Sequence, residues 1–323
     1  MQRTGRAARG GFTLIELIMV IAILSIISTL AVNRIGSVRD KAARKVSVAN
    51  QQAVGRAVET FLALNEGGKL NRLDALVDAG TAATGAAGYD FSARGAAGTV
   101  GGLYRGPDDD TSEAVRERNS GLYDAGGSSL VDLLCLYRVN EAEAEALHRL
   151  GLKYVMQHDT YATGYPYQHY GKGDDGTVPQ AADGLDAELS ACVAKFVTNG
   201  MAFAAVNGAT DLGRAVFQSC GQELLPTANW GSGYNESTVK AEIAATGGPL
   251  LAFGLGANAS IVGAAKGGID AAPYSEALPA KYYRQYILLF RLRTTGTVVT
   301  AEFAGVLDPM GNTIRAARQS LRD

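Results

Sequence analysis

Gly11-Phe12-Thr13-Leu14-Ile15-Glu16-Leu17 opens an apolar run that continues to Val32, and the reading of this stretch decides the fold. The 21 residues from Phe12 to Val32 hold one charge, Glu16. As a helix rising 1.5 Å per residue they cover about 31 Å, roughly one hydrocarbon core. A secretory signal has an apolar core of only about 7 to 15 residues with a small-residue cleavage site after it, whereas here Gly10-Gly11 precedes the run. The segment is therefore expected to be kept as a membrane-spanning helix. Its carboxylate is the odd feature. An acid near the centre of a spanning helix costs about 2.5 to 3.5 kcal/mol on insertion scales, less near the boundary, and such residues usually mark a function. Position alone leaves Glu16 either hydrated at headgroup level or functional.

The order Gly11-Phe12-Thr13-Leu14-Ile15-Glu16-Leu17-Ile18-Met19-Val20-Ile21-Ala22-Ile23-Leu24 resembles the prepilin leader junction of the type IV pilin and type II secretion pseudopilin superfamily. The resemblance implies cleavage between Gly11 and Phe12 by a prepilin peptidase, followed by N-methylation of the new Phe12 amine. It also implies that Glu16 meets the Phe12 amine of a neighbouring subunit during assembly. That role fits the physics, since a buried carboxylate is tolerable when paired and costly when alone. Many members of that superfamily carry a proline about two turns beyond the apolar core. Here Asn33 and Gly36 stand nearby and no proline precedes Pro107, so any kink must come from Gly36 or polar side chains.

Beyond the run the pattern becomes one-sided. Ile35, Val38, Ala42, Val46, Ala49, Ala53, Ala57 and Phe61, with Val54, Val58 and Leu62 beside them, recur at three- and four-residue steps, while Arg39, Lys41, Arg44, Lys45, Gln51, Gln52 and Arg56 fill much of the rest. An amphipathic helix is expected to continue the first one until Asn65-Glu66-Gly67-Gly68 stops it. From Phe12 to Leu64 it would be about 80 Å long. One half of such a rod suits bundling with neighbours and the other suits packing on its own head. A membrane anchor with a stalk and no filament would give the same periodicity.

The formal charge of −2 over 323 residues hides an uneven layout. Residues 1–65 hold nine Lys/Arg against three acids, residues 66–280 hold 14 against 26, and residues 281–323 hold seven against three. An acidic middle segment argues against a nucleic-acid-binding head, because phosphate affinity comes from clustered Lys and Arg. Arg3, Arg6 and Arg9 precede the apolar run, but Arg34, Arg39, Lys41, Arg44 and Lys45 follow it, so a count of positive charge would put the body in the cytoplasm. The family resemblance implies the opposite: a bacterial inner-membrane protein, single-pass, with the head outside the cytoplasm.

In the head, residues 71–79 read as a short helix capped by Asn71 and stopped by Gly80. Leu130, Val131, Leu133, Leu134 and Leu136 form a buried run, Asn140 with Glu143 makes a capping-box start, Gly151 ends that helix, and residues 153–156 read as a strand. This rhythm predicts a small α/β lobe inserted at about 128–270. Residues 286–292 and 297–303 flank Thr294-Thr295-Gly296, a hairpin signal at about 284–306. The turn Asp308-Pro309-Met310-Gly311-Asn312 leads into a strand or helix from Thr313.

Catalytic and metal signals are weak. Asp108-Asp109-Asp110 lacks a spaced ligand pattern and reads as the acidic start of a helix near Thr111. His158 with Asp159 and His169 reads as structural or solvated rather than as a metal pair. Gly254-Leu255-Gly256-Ala257-Asn258-Ala259 follows the apolar residues 250–253 without a convincing βαβ unit. Tyr154, Tyr161, Tyr165, Tyr167 and Tyr170 mark either an adhesive loop or one ordered by its own aromatics. Of three cysteines, Cys192 and Cys220 could pair and leave Cys135 buried, or all three could be reduced.

The expectation is an α+β protein: leader 1–11, transmembrane helix 12–32, amphipathic continuation 33–65, and a head from 66 to 323 of antiparallel sheet with the inserted lobe. It is expected to be a pilin-like or pseudopilin structural subunit of a type IV pilus or type II secretion pseudopilus, with no enzyme activity, cofactor or metal. Its expected partners are a prepilin peptidase and methylase, other pilin or pseudopilin subunits and an inner-membrane assembly platform, with no nucleic acid. The alternative is a membrane-anchored ligand-binding protein or enzyme that borrows a pilin-type leader.

Overall fold

A computed structural model describes residues 14–65, 70–78, 87–91, 122–123, 130–158, 193–226, 235–276, 278 and 283–319, with the side chains of 16, 26–40, 78, 158 and 193 excepted. The chain is a mixed α+β protein. Helix α1 (Leu14–Leu64) runs unbroken for 51 residues. It ends where expected: the Asn65 backbone N–H and side-chain amide both donate to the Phe61 carbonyl (3.1 and 2.8 Å), satisfying an acceptor the last turn leaves open.

Among the described residues nine strands form one sheet: β1 (Leu73–Asp78), β2 (Gly88–Asp90), β3 (Leu134–Arg138), β4 (Tyr154–His158), β5 (Val193–Phe196), β6 (Ala202–Val206), β7 (Leu250–Gly254), β8 (Ile287–Thr295) and β9 (Val298–Leu307). Strand β7 is the hub. One edge pairs with β8, which pairs with β9; the other edge meets β6 opposite Leu251 and Ala252, and β1 opposite Gly254. From there the sheet extends through β3 to β2 and through β4 to β5. The pair β1/β4 is parallel and every other pair is antiparallel. Strands β3 to β7, expected in an inserted lobe, thus share a sheet with the C-terminal hairpin. Phe203, Phe253 and Phe290 belong to one apolar core, with Phe253 packed against the other two.

Within the segment 71–79 expected as a helix, Leu73–Asp78 forms strand β1 instead. Leu73, Ala75, Leu76 and Val77 are fully buried, so the segment is covered on both faces as a central strand is. A short apolar run reads equally as helix or strand, and here the neighbours β4 and β7 decide. Asn71, expected as a helix cap, instead ties the strand's start: its side-chain oxygen accepts from Arg72 N (3.0 Å) and Tyr154 N (2.7 Å).

Local signals elsewhere hold. The run from Leu130 gives one helical turn, α2 (Leu130–Leu133), and then β3. In α3 (Glu141–Leu150), Asn140 Oδ1 accepts from Glu143 N (2.9 Å), Glu143 Oε2 accepts from Asn140 N (2.8 Å), and Gly151 closes the helix at φ 104°. Helices α4 (Asp211–Ser219) and α5 (Glu236–Thr246) start at Thr210 and Asn235 caps. The hairpin β8–β9 turns at Gly296 (φ 62°) and Thr297 between the paired Thr295 and Val298. After the 308–312 turn the chain forms α6 (Ile314–Gln319).

Candidate assembly site

The two ends of α1 meet different surroundings. Leu14, Ile15, Leu17, Ile18, Met19, Val20, Ile21, Ile23 and Leu24 are between 47% and 78% exposed, and they cover the whole circumference of the helix. Nine large apolar side chains on one bare rod form an apolar surface that water does not favour. Toward the other end Ser47, Val48, Gln51, Val54, Val58 and Phe61 are buried against the head.

That buried stripe is offset from the expected one. Val46, Ala42, Ala49 and Ala53, expected on the packed face, are exposed, while Gln51, expected among the polar filler, is fully buried. Gln51 clamps the helix to the head: its amide donates to the Val306 carbonyl (2.7 Å) and the Asn312 carbonyl (3.0 Å). One turn earlier the buried Tyr286 hydroxyl donates to the Ser47 carbonyl (3.0 Å). Burial raises the Tyr286 pKa above the usual phenol value, so the hydroxyl stays protonated as a donor.

The acceptors for Gln51 are held in place by Asp308. Its carboxylate accepts from Met310 N (3.0 Å), Asn312 N (2.8 Å) and the Asn312 side-chain amide (3.1 Å), fixing the turn that presents the Asn312 carbonyl. Burial nevertheless pushes the Asp308 pKa above the ordinary carboxylate value, against the lowering effect of those bonds. The helix-to-head clamp therefore rests on Ser47, Gln51, Tyr286 and the 308–312 turn. Sequence reasoning passed over it, although a signal existed: Ser47, Gln51, Val54, Val58 and Phe61 follow one another at three- and four-residue steps. A polar residue on a buried helical stripe needs a partner.

Of the residues named from sequence, Gly11 and Phe12 lie outside the described residues. Glu16 stands in the first turn of α1, and nothing is described of its side chain. Within the apolar run the described side chains are those of 14, 15 and 17–25, and among the described residues no helix is long and apolar enough to cross a membrane.

The other candidates divide in the same way. Asp108 to Asp110, Asp159, Cys192, His169 and Tyr161 to Tyr170 lie outside the described residues. His148 is held by the Val197 carbonyl at 2.9 Å and packs on Phe196, a structural placement. The 254–259 glycine pattern leaves β7 into turns rather than a helix. Cys135 is a buried free thiol near the Ala205 carbonyl (3.6 Å), and burial raises its pKa well above the usual value. Cys220 is also free. Tyr137 donates to Glu143 Oε1 (2.6 Å); burial and the adjacent carboxylate push its pKa well up, so the pair is a structural bond and not an acid-base couple at neutral pH.

One recess could hold a small ligand. A cleft of about 840 Å³ opens between the end of α4 (Gln218, Ser219, Cys220), strands β8 and β9 (Leu289, Ala304 to Leu307) and the α6 region (Thr313, Ile314, Arg315, Arg318, Gln319). Among the described residues no histidine and no carboxylate lines it, and its polar lining is of amide, hydroxyl, thiol and guanidinium groups.

No curated protein and no solved structure matches the chain. Residues 6–32 match the family described as the prokaryotic N-terminal methylation motif, and the chain therefore carries the prepilin-type leader of type IV pilins and pseudopilins, the kind that prepilin peptidase processes.

Proposed function

We propose that this protein is a pilin-like or pseudopilin structural subunit, cut between Gly11 and Phe12, N-methylated at Phe12, and assembled into a type IV pilus or a type II secretion pseudopilus. Residues 12–32 anchor it in the bacterial inner membrane as a single span, with the head outside the cytoplasm. Its partners are the prepilin peptidase and methylase, other pilin or pseudopilin subunits and an inner-membrane assembly platform. It acts by packing and not by catalysis, and Glu16 receives the Phe12 amine of a neighbouring subunit.

The observation that carries this reading is the bare apolar end of α1 on the same chain as the leader motif. That end would be covered first by lipid and then by sister helices in a filament. The exposed line Ala42, Val46, Ala49 and Ala53 supports it, because small side chains on the side away from the head permit close approach of another helix.

Mass spectrometry of the mature N-terminus tests the reading. The expected chain begins at methylated Phe12, and Gly11→Ala keeps residues 1–11 attached. A wild-type chain that stays uncut overturns the assignment. Glu16→Leu is expected to leave membrane insertion intact and to abolish assembly; normal filaments from that variant would remove the pairing role.

A further inference from the structure

We infer that the cleft between α4, β9 and α6 is a binding site for a small soluble anion carrying phosphate or carboxylate groups on a partly apolar body. Its size, about 840 Å³, falls within the range of about 300 to 1,000 Å³ typical of small-molecule sites. Among the described residues its charge has one sign: Arg315 and Arg318, three residues apart on α6, both line it, and no acid does. Among the described residues the acids nearest in the chain are engaged elsewhere: Glu302 pairs with Arg291 at 3.1 Å, and Asp308 holds its own turn.

The remaining lining fits the same class of ligand. Gln218, Ser219, Thr313 and Gln319 add neutral hydrogen-bonding groups, while Leu289, Val306, Leu307 and Ile314 supply an apolar bed. The floor is kept low by a β-bulge opposite Leu289 and Phe290 and by Gly305, where a Cβ would stand 3.8 Å from Cys220 Sγ. Bulges of this kind are common beside binding sites. Guanidinium forks match the planar geometry of carboxylate and phosphate, and an apolar bed without charge selects for a small amphipathic body.

Two other occupants fit less well. The α1 of a second copy carries Arg39, Lys41, Arg44 and Lys45 beyond its apolar run and would bring the wrong sign. A lipid headgroup is too far along the rod. The turn preceding α6 meets α1 at Gln51, which lies 19 residues past Val32, roughly 28 Å at 1.5 Å per residue.

Cys220 on the cleft wall is a built-in reporter. The full chain in detergent micelles is treated with an alkylating reagent, and labelling of the Cys220 peptide is followed by mass spectrometry with pyrophosphate, citrate, or sodium chloride at matched ionic strength. A further arm adds phosphatidylglycerol vesicles. Pyrophosphate or citrate is expected to slow Cys220 labelling saturably, while sodium chloride and vesicles do not. In the double variant Arg315→Gln/Arg318→Gln the protective concentration should rise by about tenfold or more, as loss of charge-assisted contacts requires. Arg315→Lys/Arg318→Lys should restore part of the protection. Continued resistance of the buried Cys135 shows that each variant is folded. The inference is overturned if neither anion protects beyond sodium chloride, if the glutamine variant is protected equally, or if vesicles alone protect. None of these results depends on leader cleavage or filament assembly.

Discussion

The first three turns of α1 and its last five are built on one continuous helix, yet they stand in opposite relation to solvent. Residues 14–24 expose large apolar side chains on every side, whereas Ser47, Gln51, Val54, Val58 and Phe61 are buried under the head. Hydrophobicity alone does not place a helix in the core. The buried end contains Gln51 and Ser47, and the bare end contains almost nothing polar. What distinguishes the two is the availability of a partner within the same chain: the β8–β9 hairpin and the 308–312 turn meet one end, and no described part of the head meets the other.

A charge inserted at either end separates them most sharply. Val58→Asp would place a carboxylate where exposure is 0%, within the apolar core. The head should lose about 3 to 5 kcal/mol, read by urea denaturation in detergent. Ile21→Asp should leave that denaturation midpoint within about 0.5 kcal/mol of wild type, because Ile21 makes no contribution to the head's core. Equal effects at both positions would erase the distinction between the ends.

A smaller effect tests the polar part of the clamp. Gln51→Ala removes the side-chain donor to the Val306 and Asn312 carbonyls, of which Asn312 keeps the Asp308 N–H, and should cost about 1 to 3 kcal/mol in the same measurement. No loss would mean that the apolar stripe alone fastens the helix.

The pH dependence of the clamp comes next in size. The folded pKa of Asp308 is raised, so its favourable contribution is present below the unfolded carboxylate value and is lost as pH rises through the raised folded value. Asp308→Asn removes this titration. Its stability profile should therefore be flatter than wild type across the mildly acidic range, and an unchanged slope would remove Asp308 as the source. The smallest effect is expected at the head's surface. Arg149 pairs with Glu145 at 4.0 Å and donates to the Val299 carbonyl (2.6 Å), but its side chain is largely exposed; Arg149→Ala should cost no more than about 1 kcal/mol.

Much of this architecture was legible before any coordinates. The long helix, its end at Asn65, the Asn140/Glu143 capping box, the Gly151 cap and the β8–β9 hairpin all depend on residues within a few positions of one another, although the hairpin turns at Gly296 and Thr297 rather than over Thr294-Thr295-Gly296. Local hydrogen bonding and backbone preference settle them. The β1 segment was misread because its four buried apolar residues suit either a helix or a central strand. The choice lay with Tyr154 and Gly254, strands away in sequence. Gln51 was misread because its partners lie more than 250 residues further on, at the end of β9 and in the 308–312 turn.

By itself, then, the sequence determined the leader junction, the length and polarity of the rod, and the caps and turns of the head, since each is encoded by neighbours along the chain. Tertiary structure alone decided that β7 is the hub of a nine-stranded sheet, which side of α1 meets the head, and that residues from α4, β9 and α6 enclose a basic cleft. Those features arise where distant segments compete for the same buried surface, and the outcome depends on which contacts can be satisfied together.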